Sequence, residues 1–166
     1  MTNLELDRPG SGRKLLALRP VNLAFAVLAA LPPLAHLLEM PNKLALPRNA
    51  YFVVQQIYAG WSLLGVVLFV QLVSIATVIA SAGSDRRLRI CAVVALLCLV
   101  GAQALFWTFT YPANAATANW KVQPDNWEML RLHWEYSHAG GAVLQLLAMA
   151  SLIVGALGDN RPRLSR

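Results

Sequence analysis

The chain has 166 residues, of which 57% are hydrophobic and only 13% are charged, and its net charge is +6. A soluble domain usually has about a quarter of its residues charged, so this composition excludes an ordinary soluble protein and indicates a membrane protein. Because the basic residues flank apolar segments, we attribute the positive charge to membrane topology and to contact with anionic lipids, and we predict no nucleic-acid binding.

Four apolar segments follow one another along the chain, each long enough to cross a hydrocarbon core as a helix of about 20 residues. Lipid offers the backbone no hydrogen-bond partners, so these segments must form helices or a closed barrel. Their continuous apolar runs exclude the barrel. The predicted fold is therefore all-α, an antiparallel bundle of four transmembrane helices. The predicted spans are about 17–40, 50–82, 88–111 and 131–158.

These spans form one predicted membrane domain, residues 16–158, between a disordered basic N-terminal tail (1–15) and a basic C-terminal tail (159–166). Ten of the 14 lysines and arginines lie before or at the start of the first span, between the second and third spans, or after the fourth. The positive-inside rule therefore places both termini in the cytoplasm. The Ala-, Leu- and Arg-rich composition is typical of a bacterial protein, which predicts the cytoplasmic (inner) membrane.

Local signals refine the first and last helices. The Pro32-Pro33 pair predicts a kink in the first helix, because proline cannot donate the helical hydrogen bond. Before the fourth span, Asp125 and Glu128 have the spacing of a capping box. The fourth helix is therefore predicted to begin near residue 126 and to project beyond the membrane.

Two histidine–glutamate pairs occur at the same predicted depth, near the outer ends of the first and fourth spans. His36 and Glu39 are three residues apart, and so are Glu135 and His138, so each pair lies on one face of its helix. Ionisable groups at membrane depth are costly unless they are paired, and they normally face the bundle interior. We therefore predict that the two pairs face each other in a shared pocket.

Further polar and aromatic residues reach the same predicted layer. Fixed hydrogen-bond donors stabilise a developing oxyanion strongly, and Arg131, Asn114 and Gln55 could provide such donors. Tryptophans could line a site for a flat aromatic molecule. The spacing also allows simpler roles, because tryptophans often anchor a helix at the membrane boundary. Arg131 could pair with Glu135, and Glu39 with Lys43. The candidate substrate-binding residues are Arg131, Trp134, Trp107, Asn114, Trp120, Gln55 and Gln56.

The two pairs allow several kinds of chemistry. In an acid–base site, Glu135 and Glu39 would be base and acid, and His138 and His36 would relay protons. In a metal site, the same four residues could bind a single transition-metal ion or a dinuclear centre. His36 and His138 could also be the axial ligands of a haem. A non-catalytic membrane subunit or ligand-binding module, in which the four residues only fix helix packing, remains the alternative to an enzyme.

Two stretches of the sequence resemble a family of small four-helix membrane proteins that includes the anthrone oxygenases. The stretches are HLLEMPNKL with YFVVQQIYAGW, and PANAATANWKVQPDNWEMLRLHWEYSH, within about residues 36–150. The resemblance implies a cofactor-independent oxygenase that converts an anthrone into an anthraquinone. We therefore expect an oxidoreductase of the monooxygenase type whose partners are membrane lipids and a hydrophobic, aromatic-type small molecule. The matching pattern is Asn114, Asn119-Trp120, Trp127, Arg131, Trp134-Glu135 and His138.

Overall fold

The computed structural model describes residues 10–157 of the chain, and over this range it contains helices and no β-strand. Two 3-10 turns, Gln56–Tyr58 and Trp61–Leu63, connect the second helix to the third. A π-helical segment, Phe106–Thr110, continues the fourth helix into the fifth. The α-helices are α1 (Gly10–Leu44), α2 (Arg48–Gln55), α3 (Leu64–Ser81), α4 (Arg86–Leu105), α5 (Tyr111–Ala116) and α6 (Trp127–Leu157).

Four helical segments are long and apolar enough to cross a membrane, which confirms the prediction of an all-α protein with four candidate spans. Helix α1 packs against α3 and α6, and α4 packs against the same two helices, so the four long helices form a closed ring in cross-section. Their outward faces expose apolar side chains to lipid, such as Leu97 at 64% and Val66 at 64%. The four segments are Pro20–Leu44, Trp61–Ser81, Arg86–Ala116 and Trp127–Leu157.

The predicted second span, about 50–82, is wrong at its N-terminal end. The chain forms the short helix α2, passes through two 3-10 turns, and begins the membrane-spanning segment only at Trp61. The break occurs at Gly60, whose φ of +86° lies in the left-handed region that favours glycine. Gln55 and Gln56 therefore lie at the end of α2 and in the following turn, rather than in the first turns of a transmembrane helix.

Helix α6 begins close to its predicted position, whereas α1 is longer than predicted at both ends. Helix α6 begins at Trp127, next to the predicted start near residue 126, and α1 continues to Leu44 through Pro32 and Pro33. Residues 10–15, predicted to be part of a disordered tail, already belong to α1. The predicted tails at 1–9 and 159–166 lie outside the described residues.

One end of the bundle is covered by α2, α5 and the segment 117–126, and we call it the capped end. Its core consists mainly of large aromatic side chains, in contrast to the aliphatic core deeper in the bundle. The Arg48 guanidinium donates to the carbonyl oxygens of Gln123 (2.6 Å) and Pro124 (3.0 Å), which joins α2 to the segment before α6. The core residues of the capped end are Tyr51, Phe52, Ala113, Trp120, Trp127, Leu130 and Trp134.

Helices α4 and α6 approach closely because small residues lie at their contact. A Cβ atom added at Gly155 would lie 2.9 Å from the Cβ of Cys91, and one added at Gly140 would lie 2.9 Å from a methyl group of Leu105. Close helix approach at small residues is a common packing mode in membranes. At Gly155 the obstructing atom is next to the backbone of α4, so it cannot move without moving the helix.

The Gly155→Ala substitution is therefore expected to destabilise the protein by about 1–3 kcal/mol, the usual cost of overpacking. The matched control is Gly141→Ala in the same helix, where an added Cβ meets nothing within 4 Å. That change should be neutral or stabilising, since alanine is favoured over glycine in a helix by about 0.5–1 kcal/mol. Thermal unfolding in detergent compares the two variants, and equal melting temperatures would contradict the close contact of α4 and α6.

Candidate active site

Two histidines from opposite ends of the chain meet at the capped end of the bundle. The rings of His36 on α1 and His138 on α6 have centroids 4.5 Å apart in an edge-to-face arrangement. His36 is only 5% exposed, and its ring also contacts Tyr58 at 4.5 Å and Trp134 at 5.0 Å. The structure therefore brings the first and last spans together in the predicted way, with both imidazoles turned inward.

A buried ion pair lies beside the histidines. The Lys43 Nζ atom is 2.8 Å from Glu135 Oε1, and the two side chains are 4% and 0% exposed. The spacing had allowed pairs within one helix, Glu39 with Lys43 and Arg131 with Glu135. Instead, Lys43 lies in the last turn of α1 and reaches across to α6. The pair therefore links the same two helices as the histidines.

Two tyrosines outside the spans extend this pair into a hydrogen-bonded chain. The Tyr51 hydroxyl donates to Glu135 Oε1 (2.8 Å), and Lys43 donates to the Tyr58 hydroxyl (3.2 Å), which in turn donates to Glu39 Oε2. Burial raises the pKa of both phenols, and the adjacent carboxylates, Glu135 for Tyr51 and Glu39 for Tyr58, raise it further. Both hydroxyls therefore stay protonated and act as donors at any physiological pH.

The Trp134 indole forms the common surface of the cluster. Its ring is 3.9 Å from that of His138, and the Lys43 ammonium lies 4.2 Å from its centroid, within cation–π range. Asn114 fixes this ring, because its Oδ1 accepts from Trp134 Nε1 and from Trp120 Nε1, both at 3.0 Å. Asn114, predicted to hold an oxyanion, thus uses its oxygen to orient two tryptophans.

Hydrogen bonding assigns the ring proton of His138. Its Nδ1 lies 2.8 Å from the carbonyl oxygen of Trp134. A carbonyl only accepts, so Nδ1 must carry a proton, and the lone pair of the neutral ring is on Nε2. His138 thus has a basic atom that is not engaged by its own helix. We call the five residues His36, Glu39, Lys43, Glu135 and His138 the His–Lys–Glu cluster.

The remaining candidate residues have different positions. Gln55 donates to the Tyr51 hydroxyl and so belongs to the chain that ends at Glu135. Gln56 donates to the carbonyl oxygen of Trp120 (2.9 Å). The Arg131 guanidinium donates to the carbonyl oxygen of Leu46 (3.1 Å) and lies 4.6 Å from the Trp127 ring. Gln56 and Arg131 thus hold the capped end together.

Trp107 does not join the cluster, which corrects its prediction as a substrate-binding residue. It lies in the π-helical segment and is 59% exposed, and its ring contacts Phe106 and Tyr111. An exposed tryptophan near the end of a span is typical of a membrane-boundary anchor. The physical reason for the error is that depth along a helix does not specify which face a residue occupies.

Sequence reasoning missed three residues of the site, Lys43, Tyr51 and Tyr58, whereas Trp61 is one of the tryptophans expected to line a flat aromatic site. Trp61 contributes a ring 5.4 Å from that of His36. Lys43 lies beyond the predicted end of the first span, and it reaches the bundle interior because α1 continues to Leu44. The tyrosines became part of the site only through the unpredicted break after α2, which folds 48–58 over the capped end.

The four predicted metal ligands do not form a metal centre. Among residues 10–157, no group of three or more His, Cys, Asp or Glu side chains is arranged to hold a metal ion. Glu135 Oε1 is engaged by the Lys43 ammonium and the Tyr51 hydroxyl, whereas Oε2 is buried without a hydrogen-bond partner in the described part of the chain. The direct contact between the His36 and His138 rings leaves no space for a flat haem between them. The side chains thus fit acid–base chemistry better than metal ligation.

Comparisons with protein-family models, with curated proteins and with solved structures give no match to this chain. Function must therefore be inferred from the side chains of the cluster and from the route by which a ligand reaches them.

Proposed function

We propose that the protein is an integral-membrane oxygenase that acts on a hydrophobic, aromatic-type ketone with an acidic C–H bond, such as an anthrone. The observation that carries the proposal is the contact between His36 and His138 beside the buried Lys43–Glu135 pair. This arrangement puts a neutral base and a fixed cation next to each other among aromatic rings. The family resemblance of the sequence supports the same substrate class.

In this proposal His138 is the base. Its Nε2 takes a proton from the CH₂ group of the anthrone, and the C–H electron pair moves into the ring system to form a phenolate-like anion. An ammonium group has three donors, and among the described residues Glu135 and Tyr58 engage two of those of Lys43. The third donor can stabilise the developing oxyanion, and in a desolvated site such stabilisation is large.

The anion then reacts with dioxygen at the deprotonated carbon. A C–O bond forms, and protonation gives a hydroperoxide. Loss of the second C–H proton then leaves an electron pair that forms the new C=O bond. At the same time the O–O bond breaks, and the hydroxide that leaves takes up a proton and becomes water. One anthrone and one O₂ thus give one anthraquinone and one H₂O, with no external reductant.

A chain of hydrogen bonds runs from the Lys43 ammonium to the surface of the protein. Lys43 donates to Tyr58, and Tyr58 donates to Glu39, so both bonds point in one direction. Glu39 is 40% exposed, whereas Lys43 is 4% exposed. The chain therefore connects the buried Lys43 ammonium to the surface at Glu39 through one hydroxyl and holds the ammonium in place. Lys43 stays protonated, because both C–H protons of the anthrone end in the H₂O that is formed.

For the location, we propose the cytoplasmic membrane of a bacterium with both termini inside. The support is the excess of lysine and arginine at the sequence ends and in the loop before α4. The capped end would then face outward, away from the cytoplasm.

A non-catalytic module is the second candidate, because the Lys43–Glu135 pair and its tyrosines join α1, α2 and α6 and so could serve packing alone. A direct assay separates the two. The protein is reconstituted in lipid nanodiscs and given anthrone in air-saturated buffer. Oxygen uptake and anthraquinone absorbance are then followed against empty nanodiscs and heat-inactivated protein.

An oxygenase is expected to form anthraquinone well above the spontaneous rate, with equal amounts of oxygen consumed and product formed. Saturable binding of anthrone without any rate above the empty nanodiscs would favour the module. Absence of both binding and turnover would remove anthrones as the substrate class.

A further inference from the structure

An apolar groove opens on the lipid-facing surface between α1 and the beginning of α3. Its volume is about 470 Å³, and it is a shallow groove that is largely open to its surroundings. Two of its leucines are strongly exposed, Leu31 at 54% and Leu63 at 75%, and both belong to candidate membrane spans. The lining residues are Leu31, Pro32, Ala35, Gly60, Trp61, Leu63 and Leu64.

This groove leads toward the His–Lys–Glu cluster. Ala35 precedes His36 in α1, and the Trp61 ring in the groove wall lies 5.4 Å from the His36 ring. Trp61 is 37% exposed, so one indole contacts both the groove and the buried imidazole. Its position depends on the left-handed turn at Gly60, the feature that separates α2 from α3.

The capped end is closed toward water. Tyr51, Trp120 and Trp127 are buried there at 0%, 4% and 9% exposure. Side-chain bonds to backbone carbonyls fasten α2 and α6 across this end, including Gln56 to Trp120 and Arg131 to Leu46. A bulky apolar molecule could enter from this side only if an aromatic core were opened, whereas on the groove side the partly exposed Trp61 ring lies next to His36.

We propose that the groove is the entry and binding site for a flat, apolar aryl ketone that arrives from the lipid and reaches His36 beside Trp61. This inference rests on the proposed function, whose substrate it supplies from the membrane phase. The apolar lining matches the rings of such a molecule, and beyond Trp61 lie His36 and the Tyr58 phenol. Dissolution in lipid also concentrates the ligand at the level of the groove.

Photolabelling with benzophenone tests the binding site without requiring turnover. Benzophenone is a diaryl ketone whose excited carbonyl inserts into nearby C–H bonds, which adds its whole mass to the labelled peptide. We expect mass spectrometry of the nanodisc-embedded protein to find the adduct concentrated on residues 31–35 and 60–64. Lipid-facing positions such as Leu97 on α4, 64% exposed, should carry only background labelling.

Ala35→Phe fills the groove and should reduce labelling there to background. Ala24→Phe is the matched control, because Ala24 lies exposed on the same helix and outside the groove lining. Equal labelling of all lipid-facing helices, a concentration of adduct on 117–127, or full labelling of the Ala35→Phe variant would each overturn the proposal. The wild-type adduct map decides the question even if Ala35→Phe does not fold.

The result also distinguishes this inference from the oxygenase proposal. Groove labelling without anthrone oxidation would end the oxygenase proposal and leave a ligand-binding groove. If turnover exists, Ala35→Phe should raise KM for anthrone by a larger factor than it lowers kcat, because it obstructs the groove and keeps the groups of the cluster. Turnover with an unchanged KM in that variant would contradict lipid-side entry.

Discussion

Replacing Lys43 with methionine is expected to lower the free energy of unfolding by about 3–5 kcal/mol, the usual cost of leaving a buried charge without its partner. The ammonium and the Glu135 carboxylate are 2.8 Å apart, with side chains 4% and 0% exposed. Methionine keeps the length and apolar stem of lysine, so the main loss is the positive charge. Denaturant unfolding in mixed micelles measures the change.

Two further variants isolate this cause. Lys121→Met removes a lysine from an exposed position and should change the stability little. The double substitution Lys43→Met with Glu135→Gln removes both charges and should recover most of the loss, since neither partner is then charged and alone. If Lys43→Met were no less stable than Lys121→Met, the ion pair between α1 and α6 would not exist in the membrane.

The double variant also tests whether the Lys43–Glu135 pair serves packing or chemistry. A buried ion pair is often no more stabilising than a neutral pair of similar size, because desolvation offsets the attraction. A double variant as stable as the wild type would show that folding does not require these charges. Their burial beside two histidines would then be better explained by chemistry than by packing. A double variant that stays several kcal/mol less stable would support the packing role.

Hydropathy was sufficient to predict the fold, because a backbone in lipid must satisfy its hydrogen bonds within the chain. Runs of apolar residues must become helices, and their number and approximate depth follow from length. The meeting of His36 and His138 could also be predicted, because each lies three residues from a glutamate at the same end of its span. Both histidines then have the same reason to face the interior, and the two spans are neighbours in the ring.

The partners within the cluster could not be predicted in the same way. Spacing along one helix suggested that Lys43 would bind Glu39, but the choice depends on where α6 lies in three dimensions. Tyr51 and Tyr58 reach the site only because the chain breaks at Gly60 and folds α2 over the capped end. A hydropathy profile does not detect this break, since 50–60 contains apolar residues on both sides of the two glutamines.

The role of Asn114 illustrates a further limit of sequence reasoning. Its amide is a suitable oxyanion donor by residue type, yet its oxygen accepts from two indoles. The second tryptophan, Trp120, is in position because Ala118, Asn119 and Trp120 all have positive φ angles, 47°, 55° and 63°. Three consecutive left-handed residues without glycine are unusual, and no pattern in the sequence indicated them.

Replacing His138 with phenylalanine is expected to reduce kcat for anthrone oxidation by about 10²–10⁴-fold, the usual contribution of a positioned base. Phenylalanine preserves a flat ring against Trp134 and His36, whose rings lie 3.9 Å and 4.5 Å from that of His138. It removes Nε2, the atom proposed to take the proton. The measurement is the rate of anthraquinone formation in nanodiscs, with the melting temperature recorded in parallel.

His133→Phe is the matched control, because His133 lies five residues earlier in α6, is exposed, and contacts Phe109 rather than the cluster. It should keep wild-type turnover. A loss of turnover in His138→Phe at an unchanged melting temperature assigns His138 to the chemistry, because packing has been preserved. If His138→Phe turned over anthrone at the rate of His133→Phe, the proton would have to be taken by another group, and the contact of the two histidines would be structural.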